Sequence, residues 1–390
     1  MRKIIIVIVL LCTPFFVYAA DTVSNEIELA ENAKSAIIIE QSTGKVLYEK
    51  NSHEKIAPAS MTKMMSLLLI MESIDSGKIK LDDIVTVSKK ASDMGGSQIL
   101  LEEGEEMKVE DLIKGIAIAS GNDAVVAMAE YISGSEEEFV KLMNRKVREL
   151  GLNDTKFSNC HGLDSENHYS SAYDMSMIAR ELLNHDRITK YSSIYETYLR
   201  KDTDRKIWLV NTNKLVRFKK GVDGLKTGYT KDAGYCLTAT MKKDNMRIIS
   251  TVMGEDSIEN RNKEVSSMLD YAYSNYKMKK YISKNKVLKT IKNDKSKSNG
   301  KENSIQIVPS NDINILMKAT DTMSLKYKLK INNLKNSIKK GQKVGAIEIM
   351  NNNKIIYKTN VTVKNDVKKV NIIELYLIYL RDIISGNMNL

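Results

Sequence analysis

The 390-residue chain is predicted to be an α/β (α+β) protein. A helical block should pack on a mainly antiparallel sheet with helices on both sides, and a second, small all-β domain should follow. Three observations carry this expectation. Strand signals open the chain, helical patterns fill residues 73–190, and strands plus one helix close the first part. A stretch of Lys, Asn and Ser with few apolar residues then occupies Lys284–Asn303. Short alternating segments with turn signals between them come after it.

Residues 1–20 read as a secretory signal. Arg2 and Lys3 precede the apolar run Ile4–Leu11, and Val17-Tyr18-Ala19 suits a cleavage site. Export to the outer face of the cytoplasmic membrane, or to the extracellular or periplasmic space, is expected. Only Cys160 and Cys236 would remain, enough for one possible bridge but not for a disulfide scaffold.

Ser35–Asn51 reads as a β-hairpin, with Ala36–Ile39 as a buried strand and Ser42-Thr43-Gly44 as its turn. A helix over Ser60–Met71 follows Pro58. Val109–Ile118, Ala124–Ile132 and Asp174–Leu183 carry apolar residues at helical spacing. Strands are expected near Lys206–Val210, Gly234–Thr240 and Arg247–Met253, then a helix over Asn260–Tyr276. Lys284–Asn303 reads as a linker or exposed loop. Ser304–Val308, Ile313–Met317, Leu325–Ile331, Val344–Met350 and Lys354–Val363 read as strands of a sandwich or barrel. The expected division is 1–20, signal; 21–275, first domain; 276–370, β-rich domain; 371–390, amphipathic helix.

Charge divides along the same line. Residues 275–390 hold 24 Lys/Arg against 8 Asp/Glu, so the rest of this +11 chain is net acidic. A basic exported domain suits anionic headgroups or wall polymers, and nucleic acid is excluded as a partner. Asn371–Ser385 has a wide apolar face and a narrow polar stripe of Asn371, Glu374, Arg381, Asp382 and Ser385. It is too short to span a bilayer, and Lys364, Lys368 and Lys369 precede it. An anchor lying in the membrane surface is expected.

Three motifs carry the chemistry. Ser60-Met61-Thr62-Lys63 puts an amine one helical turn from a hydroxyl. Serine is a poor nucleophile until a base takes its proton, and lysine is that base only when burial or a nearby cation disfavours its ammonium. Free N–H groups at a helix start also suit an oxyanion. Ser120-Gly121-Asn122 could relay a proton through Ser120 and hold Lys63 and a substrate amide through Asn122; it also reads as a plain N-cap. Lys226-Thr227-Gly228 on a strand points Lys226 and Gly228 the same way. Lys226 there offers a fixed positive charge, and Gly228 leaves that face clear for substrate. His53, His161, His168 and His185 show no metal-binding spacing, so neither metal nor cofactor is expected. Asp223 reads as a turn residue.

In this order, the three motifs resemble the active-site serine penicillin-binding proteins and class A β-lactamases. The chain is more similar to the low-molecular-mass penicillin-binding proteins, the D-alanyl-D-alanine carboxypeptidases, over about residues 30–375. Lys55–Ala59, Phe157–Asp174 with His161-Gly162-Leu163, Gly221–Gly234 and Arg247 add to the likeness. The resemblance implies a β-lactamase/transpeptidase-like fold and removal of the terminal D-alanine from peptidoglycan stem peptides. Ser60 would form the acyl-enzyme and Lys63 would be the base, with Ser120 and Asn122 completing the network. Lys226, Thr227 and Arg247 would receive the terminal carboxylate, beside Gly228. The N–H groups of Ser60 and Tyr229 would form the oxyanion hole, and β-lactams would acylate Ser60. Three other readings are a β-lactamase, a D,D-endopeptidase and a non-catalytic wall-binding protein. The β-lactamase lacks its E-x-x-L-N segment, since Glu181–Asn184 is one residue short.

Overall fold

The computed structural model describes residues 27–292, 296–298, 304–332, 334 and 337–369, with Ile373, Tyr376, Leu377, Leu380, Ile383 and Ile384 beyond them. The expected signal at 1–20 lies outside the described residues, as does much of the expected terminal helix.

β1 (Ser35–Glu40) and β2 (Val46–Lys50) form the first hairpin. Every residue of β1 is buried because the sheet is covered on both faces, which explains the unbroken run of isoleucines. The tight 3-10 turn Ala59–Thr62 leads directly into α1 (Lys63–Asp75). The helix therefore starts at Lys63, and Ser60 stands on the turn before it. α1 is buried without interruption from Lys63 through Met71, as befits a helix apolar all round.

β3 (Ile84–Thr86), α2 (Lys89–Ser92) and β4 (Glu106–Lys108) form a small outer lobe. α3 (Val109–Ala119), α4 (Asn122–Ser133), α5 (Glu136–Glu149) and α6 (Ala172–Leu182) pack around α1. After α7 (Ile188–Ser192), β5 (Glu196–Leu199) and β6 (Ile207–Val210) make a separate antiparallel hairpin. α8 (Leu215–Phe218) precedes β7 (Val222–Thr230), β8 (Gly234–Lys243) and β9 (Met246–Glu255). The five-stranded antiparallel sheet runs β2-β1-β9-β8-β7, leaving β7 at an edge. α9 (Ile258–Asn275), capped by the Ser257 hydroxyl accepting from Asn260 N–H, closes the far face. Alternation along the strands feeds two cores. Ile37, Ile39, Ile249 and Met253 face the helical block, and Ile38, Ile248 and Val252 face α9.

The remaining strands are β10 (Tyr276–Ile282), β11 (Lys289–Lys292), β12 (Ser296–Ser298), β13 (Ser304–Pro309), β14 (Ile313–Lys318), β15 (Leu325–Ile331), β16 (Lys343–Asn351), β17 (Lys354–Val363) and β18 (Val367–Lys369). A second five-stranded sheet runs β11-β13-β17-β16-β15 over its own core of Ile305, Ile307, Ile347, Ile349 and Val361. The linker expected over 284–303 is corrected here: β11 pairs with β13 and β12 with β18. Both are short lysine-bearing strands, and β11 lies at a sheet edge, where charge is the usual protection. Cys160 and Cys236 are separate buried thiols, so the possible bridge is not formed.

Candidate active site

The serine turn is shaped from outside. Ala59, just before Ser60, adopts φ +47, a left-handed conformation uncommon for a residue with a Cβ. Two glycines make room for it. A Cβ on Gly162, itself at φ +92, would lie 1.9 Å from the Ala59 carbonyl oxygen. A Cβ on Gly228 of β7 would lie 2.9 Å from the Pro58 oxygen. The expectation for Gly228 is therefore corrected: its bare face seats the serine turn against the sheet edge instead of leaving room for substrate. His168 fastens the next residue. Ser158 N–H donates to His168 Nδ1 (3.0 Å), so the neutral ring carries its proton on Nε2 and donates to Thr62 Oγ1 (2.8 Å). Burial pushes the His168 pKa down to about 4, which keeps the ring in that form. Gly162→Ala should lower Tm by roughly 6–12 °C, from a clash and strain of about 3 kcal/mol, readable by calorimetry.

Lys63 Nζ is fully buried, 3.0 Å from Ser60 Oγ, 2.6 Å from Asn122 Oδ1 and 2.7 Å from the His161 carbonyl oxygen. The last two atoms can only accept. A neutral amine has two N–H donors and one lone pair, so donating to both acceptors leaves the lone pair for the Ser60 hydroxyl. Burial lowers the Lys63 pKa to about 7, against the milder upward pull of Cys160 and Asp123. Ser60 itself is half-buried and reachable.

Ser120 is the C-cap of α3 at φ +66, and α4 begins at Asn122 behind Gly121. The Ser120 hydroxyl is buried with no hydrogen-bond partner among the described residues, so it is not serving as an N-cap. Such an orphan carries a desolvation cost of about 1–3 kcal/mol that an arriving ligand group would offset. Asn122 spends its oxygen on Lys63 and donates to the Gly95 carbonyl (2.7 Å). Asp123 beside it accepts from Ile99 and Leu101 N–H, fixing the loop above the site.

Lys226 is buried on β7 and donates to the Thr227 carbonyl (3.0 Å). Burial first, then the charges of Lys63 and Arg261, hold its pKa well below the usual lysine value. Thr227 Oγ1 donates to Thr212 Oγ1 (2.7 Å). Tyr229 is exposed at the end of β7 and stacks on Tyr235. Arg247 does not join this group, which corrects the expectation from sequence. It pairs with Lys242 across β8, four residues below the Thr251 that faces the level of Lys226, roughly 13 Å along the strand. Asp223 grips it through both guanidinium nitrogens at 2.7 and 2.8 Å. Asp223 is thus a strand residue, not a turn residue. The cation missed in the sequence is Arg261, buried in the first turn of α9 and close enough to act on Lys226. A Lys/Arg in the first turn of a helix, where acids are favoured, is the signal that could have found it.

Comparison with known proteins agrees with this geometry. Residues 20–257 match the family model described as D-alanyl-D-alanine carboxypeptidase, and residues 276–369 match the penicillin-binding protein 5 C-terminal domain. The D-alanyl-D-alanine carboxypeptidase DacF of Bacillus subtilis is 52% identical over 348 residues, covering 89% of this chain and 88% of that protein. Penicillin-binding protein 5 from Haemophilus influenzae superposes with a TM-score of 0.70 at 32% identity, covering 87% and 98% of the two chains. Penicillin-binding protein D2 from Listeria monocytogenes, in its ampicillin-bound form, gives 0.56 at 26% identity over 62% of this chain and 98% of its own. A D-alanyl-D-alanine endopeptidase of Pseudomonas aeruginosa is 29% identical over 206 residues, covering 52% of this chain and 65% of that protein. Fold, motifs and relatives converge, and the chain belongs to the D-alanyl-D-alanine carboxypeptidase family.

Proposed function

We propose that this serine-type D-alanyl-D-alanine carboxypeptidase works through Ser60 as nucleophile and Lys63 as its general base. The observation that carries the reading is the saturation of Lys63 by two pure acceptors, which aims its lone pair at Ser60. Lys63 takes the Ser60 proton as Oγ attacks the carbonyl of the penultimate D-alanine of a stem peptide. The N–H groups of Ser60 and Tyr229 stabilise the oxyanion. Ser120, whose hydroxyl has no partner among the described residues, passes the proton to the leaving amine of the terminal D-alanine. Lys226 and Thr227 receive the substrate carboxylate, with Arg261 in the role expected of Arg247. Its arriving negative charge favours protonated Lys226, offsetting the burial that opposes it. Water then releases the acyl group. β-Lactams, which present a similar acyl group and carboxylate, acylate the same oxygen. Incubation with a diacylated D-Ala-D-Ala peptide should release D-alanine; no release, together with no penicillin adduct, would sink the reading.

The pH dependence follows from Lys63. Its ammonium form has no lone pair, and its pKa is about 7, so the acylation rate rises with pH and levels off above that value. At pH 5 it should be about a hundredfold below the plateau, measured as the second-order rate of penicillin labelling. A flat profile between pH 5 and 9 would contradict the assignment.

The division 1–20, 21–275, 276–370 and 371–390 remains part of the proposal, with export and a surface anchor at the two ends. Ile373, Tyr376, Leu377, Ile383 and Ile384 support the anchor, because they are helical, exposed and spaced for one apolar stripe. No helix among the described residues is long and apolar enough to cross a membrane. Deleting 371–390 should release the protein from anionic vesicles in a flotation assay while leaving D-alanine release unchanged.

A further inference from the structure

We infer that the β5–β6 hairpin is a binding platform for the amino-sugar strand that carries the stem peptide, an inference that rests on the carboxypeptidase reading above. Tyr198 and Trp208 sit opposite each other in the ladder on the outward face, while Leu199 and Leu209 on the other face are buried. The two aromatic rings lie within 24° of parallel with centroids 6.5 Å apart, and Tyr198 is 42% and Trp208 56% exposed. Burying Leu199 and Leu209 accounts for the hairpin's packing, and Lys206 Nζ stands over the Tyr198 ring, 4.3 Å from its centroid; the exposed Trp208 ring beside it is explained by neither. A cleft of about 410 Å³ beside them is lined by Glu196, Thr197 and Lys201 as well as the rings. Apolar ring faces framed by a carboxylate, a hydroxyl and an ammonium match a pyranose, whose C–H face is apolar and whose rim bears hydroxyl and amide groups.

The hairpin is tied at both ends to segments that frame the catalytic centre. At its tip, Arg200 and Arg205 pair with Glu105 and donate to the Ile99 and Leu100 carbonyls, on the loop that Asp123 fixes. At its base, Asn211 positions Asn213, which donates to the Gly224 carbonyl of β7. Thr212 accepts directly from Thr227. Trp208 precedes Thr212 by four residues, roughly 13 Å of strand. A five-residue stem peptide spans at most about 17 Å when extended. With its terminal carboxylate at Thr227, which bonds to Thr212, the five-residue peptide is long enough for its sugar-linked end to reach as far as the rings.

The test compares two substrates in wild type and Trp208→Ala: a disaccharide-linked pentapeptide and a diacylated D-Ala-D-Ala peptide without sugar. The expected result is a KM raised about tenfold for the sugar-bearing substrate alone, with kcat and the bare-peptide rate unchanged. Tyr198→Ala should show the same split. Trp208 is the only tryptophan of the chain, so tryptophan emission reports on this position, and peptide-free glycan oligomers should alter it in wild type. Equal losses on both substrates would make Trp208 merely structural; no loss on either, or unchanged emission, would also overturn the platform. Failure of the wild type to cleave the bare peptide would instead overturn the carboxypeptidase reading.

Discussion

Ser60→Ala should abolish covalent penicillin labelling and lower D-alanine release by at least about 10⁴-fold. The size follows from chemistry: alanine has no atom that can bond to the acyl carbon, and only binding and oxyanion contacts would remain. The fold should hardly notice. Ser60 is half-buried, its hydroxyl bonds only to Lys63 among the described residues, and the turn is set by Ala59, Gly162 and Gly228. Tm should therefore stay within a few degrees of wild type. Reversible penicillin binding should survive, because Lys226 and Thr227 are untouched. Labelling by a fluorescent penicillin, with calorimetry alongside, reads both outcomes; an adduct retained in the variant would mean that another residue is the nucleophile.

Lys63→Met should cost about 10³- to 10⁴-fold in acylation while leaving the serine in place. Methionine fills most of the lysine volume in a site that is already fully buried, so the packing of α1 is kept. It cannot accept the Ser60 proton effectively. It also strands Asn122 Oδ1 and the His161 carbonyl, at about 1–3 kcal/mol for each buried acceptor. Removing a buried amine that must otherwise remain neutral offsets part of that loss. Stopped-flow acylation at pH 8 separates the effects: a base is lost if the rate collapses while the protein stays folded. Retention of more than about a tenth of the wild-type rate would assign Lys63 a holding role only.

The sheet and the helical block were legible because their signals are local. The isoleucine run of β1 and the helical spacing over 109–132 need no distant partner. Ser60 and Lys63 were legible for the same reason, being three residues apart on one turn. Ser120, Asn122 and Lys226 could be named by motif, but not their states. The Asn122 oxygen on Lys63 depends on a contact 59 residues away, and the orphaned Ser120 hydroxyl on burial that the motif itself does not show. The segment around His161 entered only through family likeness. Its physical reason is long-range, since the His161 carbonyl takes an N–H of Lys63 and Gly162 clears the Ala59 oxygen. The family likeness assigned Arg247 to the carboxylate, but a likeness between short motifs does not fix strand register. β8 intervenes, and Arg247 lands at the level of Gly221 and Lys242, not of Lys226. β11 and β12 hid behind lysine and asparagine because short peripheral strands need little apolar sequence.

Peptide mapping by mass spectrometry after brief exposure to a penicillin asks which atom of the protein becomes acylated. The expected result is one adduct per chain, on the peptide containing Ser60, forming about a hundredfold faster at pH 8 than at pH 5. An adduct on a different residue, or none at any pH, would contradict the pairing of this serine with an unprotonated Lys63.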